Sequence, residues 1–371
     1  MKKCGLIINP IAGMGGAVGL KGTDGIEILE KARELGSIPH AQERCSEALN
    51  TLNVLKDDVE WITCPGKMGE IAASSASFPF RLITPSISHQ TTSKDTIKAA
   101  RRMTKEGVDL ILFAGGDGTA RDIHTAVSAS QTVIGIPAGV KIHSAVYAQN
   151  PSRAGELAVH FLENRIKRCI EAEVMDINED DYRKGILSAR LYGYLKIPFE
   201  RNCLQRMKAG SSVNEKHNQE AIAHDIQESL SDDYYYIVGA GSTTRPVMEL
   251  LGLNGSLLGV DIVHRGQMIC NDVGEAEILK TIHGKKSKII ITPIGGQGYL
   301  FGRGNQQISP AVLKEVGKEN IIVIATKQKI HSLHGHPLLV DSGDQRVDLW
   351  LSNHIKVITG YHESIIYRVS R

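Results

Sequence analysis

The sequence predicts an α/β protein, with an N-terminal doubly wound parallel-sheet domain followed by a β-rich C-terminal domain. In the first 150 residues, short apolar runs alternate with helical stretches, which is typical of parallel sheets. Later runs alternate apolar and polar residues, as antiparallel strands with one solvated face do. The pattern changes near residue 150, and 371 residues is enough for two or three domains. We therefore expect domains at residues 1–150 and 151–371.

The N-terminal elements are predicted from apolar runs that end at Gly, Pro or Asn. The predicted strands are Leu6–Ile8, Val59–Thr63, Arg81–Thr84, Leu110–Ala114 and Val133–Ile136. The predicted helices are Ile26–Leu35, Thr96–Glu106 with Ser93 as its cap, and Asp122–Ala129. In such sheets ligands bind at the carboxyl ends of the strands. The loops that follow these strands are therefore the first places to look for a site.

The C-terminal half is predicted to be mainly β after a helix at Ala154–Asn164. Residues 170–177 alternate apolar and polar side chains, and residues 214–230 form a polar, helix-permissive excursion. The further predicted strands are Tyr234–Val238, Leu257–Val263, Lys288–Ile291, Ile321–Ala325, Leu338–Val340, Val347–Leu351, Ile355–Thr359 and Ser364–Arg368.

Composition excludes several classes of protein. The 42% hydrophobic and 23% charged fractions argue against a disordered or fibrous chain. A formal net charge of +2 lacks the basic field that nonspecific nucleic-acid binding needs, so we expect no nucleic-acid partner. Glycine is unusually frequent, with 37 residues in the chain. This frequency indicates many sharp turns or places where the backbone approaches another group closely.

The cysteines and the N-terminus predict a cytoplasmic protein. The six cysteines are scattered without a C-x-x-C pair, so they read as reduced thiols. The opening apolar run ends at Asn9-Pro10, too early for a signal peptide, and no stretch of about 18 apolar residues follows. We expect no integral membrane association.

The first glycine-rich segment follows strand one and contains Gly13, Gly15 and Gly19. A dinucleotide-binding loop has related spacing, but it should open directly into a helix, and here Gly22 to Gly25 intervene. The Gly19–Thr23 stretch also resembles a P-loop, but its Lys and Gly are transposed. Neither motif is satisfied.

The most informative segment is Gly115-Gly116-Asp117-Gly118-Thr119, between a buried strand and a helix that opens near Asp122. This context places backbone N–H groups and a helix N-terminus where an anionic phosphate would bind. A carboxylate beside phosphates is repulsive unless it holds a metal or takes a proton from an attacking hydroxyl, as in phosphoryl transfer. The alternative is an Asp-Gly turn in which Asp117 satisfies its own backbone.

This five-residue segment resembles the signature of the superfamily of NAD kinases and of diacylglycerol and sphingoid lipid kinases. Asn9-Pro10 with its glycine-rich loop also fits. Gly241-Ser242-Thr243 is similar to the T-G-S-T segment of NAD kinases, and Thr292-Pro293-Ile294 followed by Phe301 and Arg303 resembles their T-P-I segment. Residues 135–141 and 293–298 look like the ATP-NAD kinase-like, or AcoX-like, subgroup. The resemblance spans residues 7 to about 344.

The resemblance implies an NAD kinase-like fold of two domains with a site in the cleft between them, and a C-terminal segment that can return to the first domain. It also implies that Asp117 is the catalytic base that activates the acceptor hydroxyl. The Asn-Glu pair with which typical NAD kinases hold the dinucleotide is not evident upstream of Gly241. Asn178-Glu179 has the same two residue types, but it lies in a charged run that is typical of a solvated turn. The absence of this pair affects the prediction of NAD as the acceptor more than the prediction of phosphoryl transfer.

Several further residues are candidates with a competing structural interpretation. Lys141, after Gly139, either neutralises phosphate or is a surface lysine. Ser242 and Thr243 either contact a ribose or phosphate or cap the next helix. The three histidines between His331 and His336 lack metal-site spacing, so we expect a polar loop and assign no metal ligands. The predicted nucleotide- or phosphate-binding residues are Asn9, Gly115, Gly116, Gly118, Thr119, Asp122, Gly139, Lys141, Gly241, Ser242 and Thr243.

The sequence thus predicts a small-molecule kinase that uses ATP with Mg²⁺ as donor and a nucleotide acceptor, NAD, in NADP biosynthesis. Two alternatives stay open. One is a kinase of the same superfamily that acts on a lipid or another metabolite alcohol. The other is a nucleotide-binding regulator without turnover. We also expect a homo-oligomer.

Overall fold

The computed structural model describes residues 1–20, 26–83, 91–139, 142–177, 189–200, 213–256, 258–294 and 297–371. The chain divides into two compact units, one of Met1–Met14 with Gly22–Met207 and the other of Gly15–Lys21 with Lys208–Arg371. Across the described residues, no helix combines the length and apolar character needed to cross a bilayer. The described cysteines form no disulfide, and Cys4, Cys45 and Cys64 are buried.

The first unit is built on a five-stranded parallel sheet in the order β3-β2-β1-β4-β5. Its strands are β1 (Lys2–Ile8), β2 (Val59–Thr63), β3 (Phe80–Leu82), β4 (Leu110–Gly115) and β5 (Val133–Pro137). Its helices are α1 (Ile26–Glu34), α2 (Ala41–Leu52), α3 (Glu70–Ser75), α4 (Ser93–Lys105), α5 (Asp117–Ala126) and α6 (Pro151–Leu162), with short 3-10 turns at Asn53–Leu55 and Gly66–Met68.

The centre of this sheet is the pair β1 and β4. All six residues of β4 are buried, which explains why the strand reads as a continuous apolar run. The register pairs Cys4 with Leu110 and Ile8 with Ala114, so both strands end at the same edge of the sheet.

An antiparallel hairpin completes the first unit. It consists of β6 (Cys169–Ile177) and β7 (Ala189–Pro198). Ser144 ties the segment after β5 to this hairpin, because its hydroxyl donates to the carbonyl of Met175 (2.8 Å). Arg121 on α5 forms an ion pair with Asp176 on β6 (Nη1 to Oδ2, 2.7 Å).

The second unit contains a mixed nine-stranded sheet in the order β10-β9-β8-β11-β13-β15-β16-β14-β12. Its strands are β8 (Tyr235–Val238), β9 (Asp261–His264), β10 (Gln267–Cys270), β11 (Ser287–Ile291), β12 (Tyr299–Phe301), β13 (Ile321–Ile324), β14 (Leu338–Val340), β15 (Asn353–Gly360) and β16 (Glu363–Ser370). Its helices are α7 (Val213–Ser229), α8 (Arg245–Leu250), α9 (Glu275–Ile282), α10 (Pro310–Val316), α11 (Lys327–Ser332) and α12 (Gln345–Leu351), with a 3-10 turn at Lys318–Asn320. The final two strands, β15 and β16, lie within this sheet.

These two sheets confirm the predicted fold class, a parallel α/β N-terminal part and a β-rich C-terminal part. Three local predictions were wrong. Val347–Leu351 is a helix, because Asp344 caps it and because Val347 and Leu351, four residues apart, are both buried. The helix expected from Asp122 begins at Asp117, directly after Gly116. Thr92, rather than Ser93, caps α4, with its N–H donating to Asp95 Oδ2 (2.9 Å).

Candidate functional site

The predicted site residues of the first unit meet where the sheet changes direction. From β1 the chain builds outward through β2 to β3, and it then returns to the other side of β1 with β4 and β5. In open α/β sheets this switch point leaves a crevice beyond the carboxyl ends of the two central strands. Asn9 follows β1 at this edge, and Gly116 follows β4.

A hydrogen bond connects these two strand ends. The side-chain amide of Asn9 donates to the hydroxyl of Thr119 (Nδ2 to Oγ1, 2.9 Å), while the Asn9 backbone N–H donates to the carbonyl of Ala114 (2.9 Å). Thr119 is buried in the first turn of α5. Asn9 and Thr119, both predicted as ligand contacts from the sequence, therefore also hold the edge together.

Asp117 is the first residue of α5, with Gly116 as the residue before the helix. Its carboxylate accepts two backbone hydrogen bonds, from the N–H of His143 to Oδ2 (2.7 Å) and from the N–H of Ser144 to Oδ1 (2.9 Å). An ionised carboxylate has about four acceptor positions, so the two N–H donors do not fill it. The alternative interpretation, an Asp-Gly turn in which Asp117 bonds its own backbone, is not what the structure shows, because the carboxylate bonds a segment 26 and 27 residues away.

Burial raises the pKa of Asp117 to about 7. The hydrogen bonds from Ser144 and His143 oppose this shift because they stabilise the charged form, and the negative charge of Asp176 adds to it. Asp117 is 7% exposed, so loss of hydration outweighs the hydrogen bonds from Ser144 and His143. A carboxyl group that titrates near neutral pH can both accept and release a proton under physiological conditions.

Two glycines of the motif are required by packing inside the protein. A Cβ atom on Gly115 would lie 2.4 Å from the Thr119 side chain, and one on Gly139 would lie 2.7 Å from the Cα atom of Gly116. The loop after β5 therefore runs backbone to backbone against the loop after β4. The hydroxyl of Tyr147 donates to the carbonyl of Gly116 (2.6 Å) and holds it in place. These contacts give Gly115, Gly116 and Gly139 a structural role beside any contact with a ligand.

The other predicted residues of the first unit either lie on α5 or lie outside the described residues. Gly118 and Asp122 lie on α5, and Asp122 is partly exposed five residues beyond Asp117. Lys141 and the pair Asn178-Glu179 lie outside the described residues. Arg44 on α2 was not predicted, yet its Nε donates to the carbonyl of Pro137, the last residue of β5 (3.0 Å). This cation therefore lies at the same edge of the sheet.

The first glycine-rich segment is divided between the two units. Gly13 belongs to the first unit, where a Cβ would lie 2.1 Å from the carbonyl oxygen of Ala138. Residues 15–21 belong to the second unit, where the carbonyl of Ala17 accepts a hydrogen bond from the N–H of Glu275 (3.0 Å). The segment is a series of turns up to residue 19, which agrees with the absence of the dinucleotide fingerprint from the sequence.

The predicted residues Gly241, Ser242 and Thr243 lie in the second unit, after β8. Gly241 has a φ of +152°, and a Cβ there would lie 2.3 Å from Cγ2 of Thr292. Thr243 is fully buried, and its hydroxyl accepts a hydrogen bond from the ammonium group of Lys329 (2.9 Å). Thr244, rather than Ser242 or Thr243, bonds the loop carbonyls, because its hydroxyl reaches those of Gly239 and Gly241 (2.8 and 2.9 Å).

Comparison with protein families gives two matches along the chain. The ATP-NAD kinase N-terminal domain matches residues 4–166, and the ATP-NAD kinase C-terminal domain matches residues 231–369. The chain belongs to the NAD kinase family. The first matched range contains most of β1, all of β2 to β5 and Asp117, and the second contains β8 to β15 and Thr243. The resemblance read from the sequence is thus confirmed at the level of the family.

Comparison with individual proteins adds little to the family match. No curated protein matches the chain. Two solved structures from Bacillus anthracis str. Sterne, both titled as a putative diacylglycerol kinase, are 19% identical to the chain with a TM-score of 0.25. Each match covers 48% of this chain, and 44% or 46% of the other. The chain thus spans less than half of either solved protein.

Sequence reasoning missed Lys329 within this family member. Its ammonium group also donates to the hydroxyl of Thr292 (3.0 Å), so it joins the two motif segments that resembled NAD kinases. In the sequence, Lys329 is only a lysine soon after a predicted strand, and this pattern is too common to identify a site residue. In the described residues no group of three or more His, Cys, Asp or Glu side chains is placed to hold a metal ion.

Proposed function

We propose that this member of the NAD kinase family is an ATP-dependent kinase that phosphorylates NAD on its adenosine ribose 2′-hydroxyl to give NADP. The observation that carries the proposal is the buried Asp117 carboxylate, held by two backbone N–H groups at the switch point of a parallel sheet. Family membership supports ATP as donor and a nucleotide as acceptor. The 2′-hydroxyl as acceptor rests on the motif resemblance.

Asp117 is assigned the role of general base. Its carboxylate takes the proton of the acceptor hydroxyl while that oxygen forms a bond to the γ-phosphorus of ATP. The bond from the γ-phosphorus to the β,γ-bridging oxygen breaks, and ADP leaves. A base with a pKa near 7 is matched to this task, because it is ionised often enough to accept the proton and basic enough to hold it.

The hydrogen bonds to Asp117 fix the direction of the carboxylate. Ser144, one of the two donors, is itself tied to the hairpin through Met175. The carboxylate therefore needs little reorganisation when substrate binds, which is how preorganised sites lower a barrier.

The residues present fit a magnesium ion that is held mainly by the substrate. Mg²⁺ in kinases binds through substrate phosphates together with one or two carboxylates, and Asp122, partly exposed and five residues after Asp117 on α5, would supply a carboxylate while Asp117 stays the base. The ion supplies neutralisation of phosphate charge when bound. Asn9, Gly116, Gly118, Thr119 and Gly139 are proposed to contact the nucleotide at the first unit, and Gly241, Ser242 and Thr243 at the second.

The test is a coupled assay for ADP and NADP with ATP, Mg²⁺ and NAD, comparing wild type with Asp117→Asn. We expect the variant to lose at least about 100-fold in kcat, the usual contribution of a general base, and to retain ATP binding by calorimetry. Asp109→Asn is the matched control, because Asp109 lies just before the opposite end of β4 and bonds Lys2 and Lys3.

The outcomes separate the competing functions. NADP formation that is unchanged by Asp117→Asn would rule out the base. Phosphorylation of a lipid or another alcohol, with NAD untouched, would retain the kinase and reject the acceptor. Nucleotide binding with no turnover of any acceptor would reject the kinase in favour of a regulator.

A further inference from the structure

The segment after β5 turns back and bonds to its own strand. The N–H of Gly135, in β5, donates to the carbonyl of Val146 (3.0 Å), and the N–H of Ala148 donates to the carbonyl of Gly135 (3.0 Å). Tyr147 lies between these two bonds and is completely buried. The backbone on both sides of Tyr147 is therefore anchored to the parallel sheet of the first unit.

Two neighbours fix the ring of Tyr147. Its centroid lies 5.3 Å from that of Phe113 on β4, with the two rings inclined at 66° in an edge-to-face contact. Gly135 leaves room for the ring, since a Cβ there would lie 2.4 Å from Cδ1 of Tyr147. The hydroxyl is therefore held at the end of β4, where it donates to the carbonyl of Gly116 (2.6 Å).

The carbonyl of Gly116 accepts from two donors. One is the hydroxyl of Tyr147, and the other is the N–H of Ala120 (3.1 Å) in the first turn of α5. A backbone carbonyl has two lone pairs, so these two donors use both of them. In a trans peptide the N–H points away from the carbonyl. The peptide between Gly116 and Asp117 therefore keeps its carbonyl toward Tyr147 and the N–H of Asp117 on the opposite side.

Gly116 needs a restraint of this kind from outside the loop. Its close approach to Gly139 favours glycine, because a Cβ on Gly116 would lie 3.2 Å from the Cα atom of Gly139. Glycine has no Cβ atom to restrict rotation about its own backbone bonds. Half a turn of the peptide after Gly116 would direct the partial negative charge of its carbonyl to the side of the Asp117 N–H, where it would repel a phosphate.

The same segment also holds the carboxylate of Asp117. The N–H groups of His143 and Ser144 donate to its two oxygens. Residues 143–147 therefore fix both the proposed base and the peptide that precedes it. The two sets of bonds are separate, because His143 and Ser144 act on the side chain of Asp117 whereas Tyr147 acts on the carbonyl of Gly116.

We propose that Tyr147 is a positioning residue for phosphate binding, which holds the peptide between Gly116 and Asp117 with its N–H toward a phosphate oxygen and its carbonyl away from it. The inference rests on the proposed function, since it concerns the same glycine loop. Tyr147 acts through the carbonyl of Gly116 and is not itself a catalytic residue. The phosphate can belong to ATP or to the acceptor dinucleotide.

The experiment is calorimetric titration of the full chain with ATP, NAD and adenosine, for wild type, Tyr147→Phe and Tyr367→Phe. Tyr147→Phe removes only the hydroxyl and keeps the ring between Phe113 and Gly135. Tyr367→Phe is the matched control, because its hydroxyl also donates to a backbone carbonyl, that of His336 in the second unit (2.9 Å). Melting temperatures report whether each variant is folded, and a pH–rate profile of NADP formation reports on Asp117.

We expect Tyr147→Phe to weaken the binding of ATP or NAD by about 2-fold to 10-fold, the net effect of one hydrogen bond. The ligand that loses affinity identifies the source of the phosphate. Adenosine has no phosphate and should bind wild type and Tyr147→Phe alike, and Tyr367→Phe should bind every ligand as wild type does. The pH at which kcat/KM reaches half of its plateau should stay the same, because His143 and Ser144 still bond the carboxylate of Asp117.

Four results would overturn the proposal. Unchanged affinity of Tyr147→Phe for both ATP and NAD would leave the hydroxyl with a structural role alone. An equal loss for adenosine, an equal loss in Tyr367→Phe, or no binding of ATP or NAD to the wild type would each contradict a role in phosphate binding. The titration requires no turnover. A protein that makes no NADP, but loses ATP affinity in Tyr147→Phe, would therefore retain the role of Tyr147 while the proposed reaction fails.

Discussion

The amide group of Asn9 donates a hydrogen bond to the hydroxyl of Thr119, 110 residues later in the chain, at 2.9 Å. The bond joins the end of β1 to the first turn of α5 at the switch point of the sheet. It explains how the polar side chain of Thr119 can be buried at the end of β4, because its hydroxyl has a hydrogen-bond partner there. The same bond fixes the position of α5, and with it Asp117.

Thr119→Val tests this bond by leaving the Asn9 amide without its acceptor. We expect the free energy of unfolding to fall by about 0.5–1.5 kcal/mol, the net value of one hydrogen bond, because Asn9 is partly exposed and water can reach its amide. Urea denaturation measures it. Thr125→Val on the same helix is the control, since Thr125 is exposed and its hydroxyl donates only to the carbonyl of Arg121. Equal stability of both variants would show that the bond contributes little.

Gly115→Ala tests the packing at the end of β4. The new methyl group would lie 2.4 Å from the Thr119 side chain, so we expect destabilisation by about 1–3 kcal/mol through overpacking. Gly239→Ala, after β8, is the control, because its Cβ would lie 3.6 Å from the carbonyl oxygen of Ile290, which is an ordinary van der Waals contact. If Gly115 is needed only for contact with a ligand, Gly115→Ala will bind nucleotide less well but unfold at the same urea concentration as wild type.

The raised pKa of Asp117 predicts the pH dependence of the proposed reaction. Below about pH 7 the carboxyl is protonated and cannot accept the proton of the hydroxyl, so kcat/KM should rise about tenfold per pH unit and level off above pH 7. A pH–rate profile from pH 5 to 9 measures the pH at which kcat/KM reaches half of its plateau value.

Asp176→Asn should move that midpoint to lower pH. Burial is the main cause of the raised pKa of Asp117, and Asp176 adds a neighbouring negative charge. Removing this charge also leaves the cation of Arg121 unpaired with Asp176, which favours the ionised form of Asp117. Asp109→Asn should leave the midpoint in place. A midpoint that stays the same in Asp176→Asn would show that burial alone sets it.

The pair of Arg303 and Asp341 is the most buried ion pair among the described residues. Its side chains are 3% and 5% exposed, with Nη2 and Oδ2 3.2 Å apart. Removing one partner of a buried pair takes the opposite charge away from the other, so Asp341→Ala should destabilise the protein by about 3–5 kcal/mol. Lys314→Ala breaks the exposed pair with Asp344 and should change stability by less than about 1 kcal/mol. Thermal unfolding distinguishes the two, and similar melting temperatures would contradict the prediction.

Local patterns were sufficient for much of the first unit. Residues 110–115 could be recognised as a strand because a strand buried on both faces must be apolar throughout. Sequence patterns did not distinguish a strand from a helix where only one face of the element is buried. Val347–Leu351 has an apolar content that suits a strand as well as a helix turn, and the cap at Asp344 and the packing of α12 decide between them.

By itself, the sequence determined the strands of the first sheet, the glycine-rich turns, the family, and Asp117 as the candidate base, because each depends on residues that are neighbours along the chain. Only the tertiary structure decided the environment of those residues. The pKa of Asp117 depends on burial and on donors from Ser144 and His143, and the position of Lys329 depends on threonines 37 and 86 residues away. Hydration and hydrogen bonds act through space, so no local pattern records them.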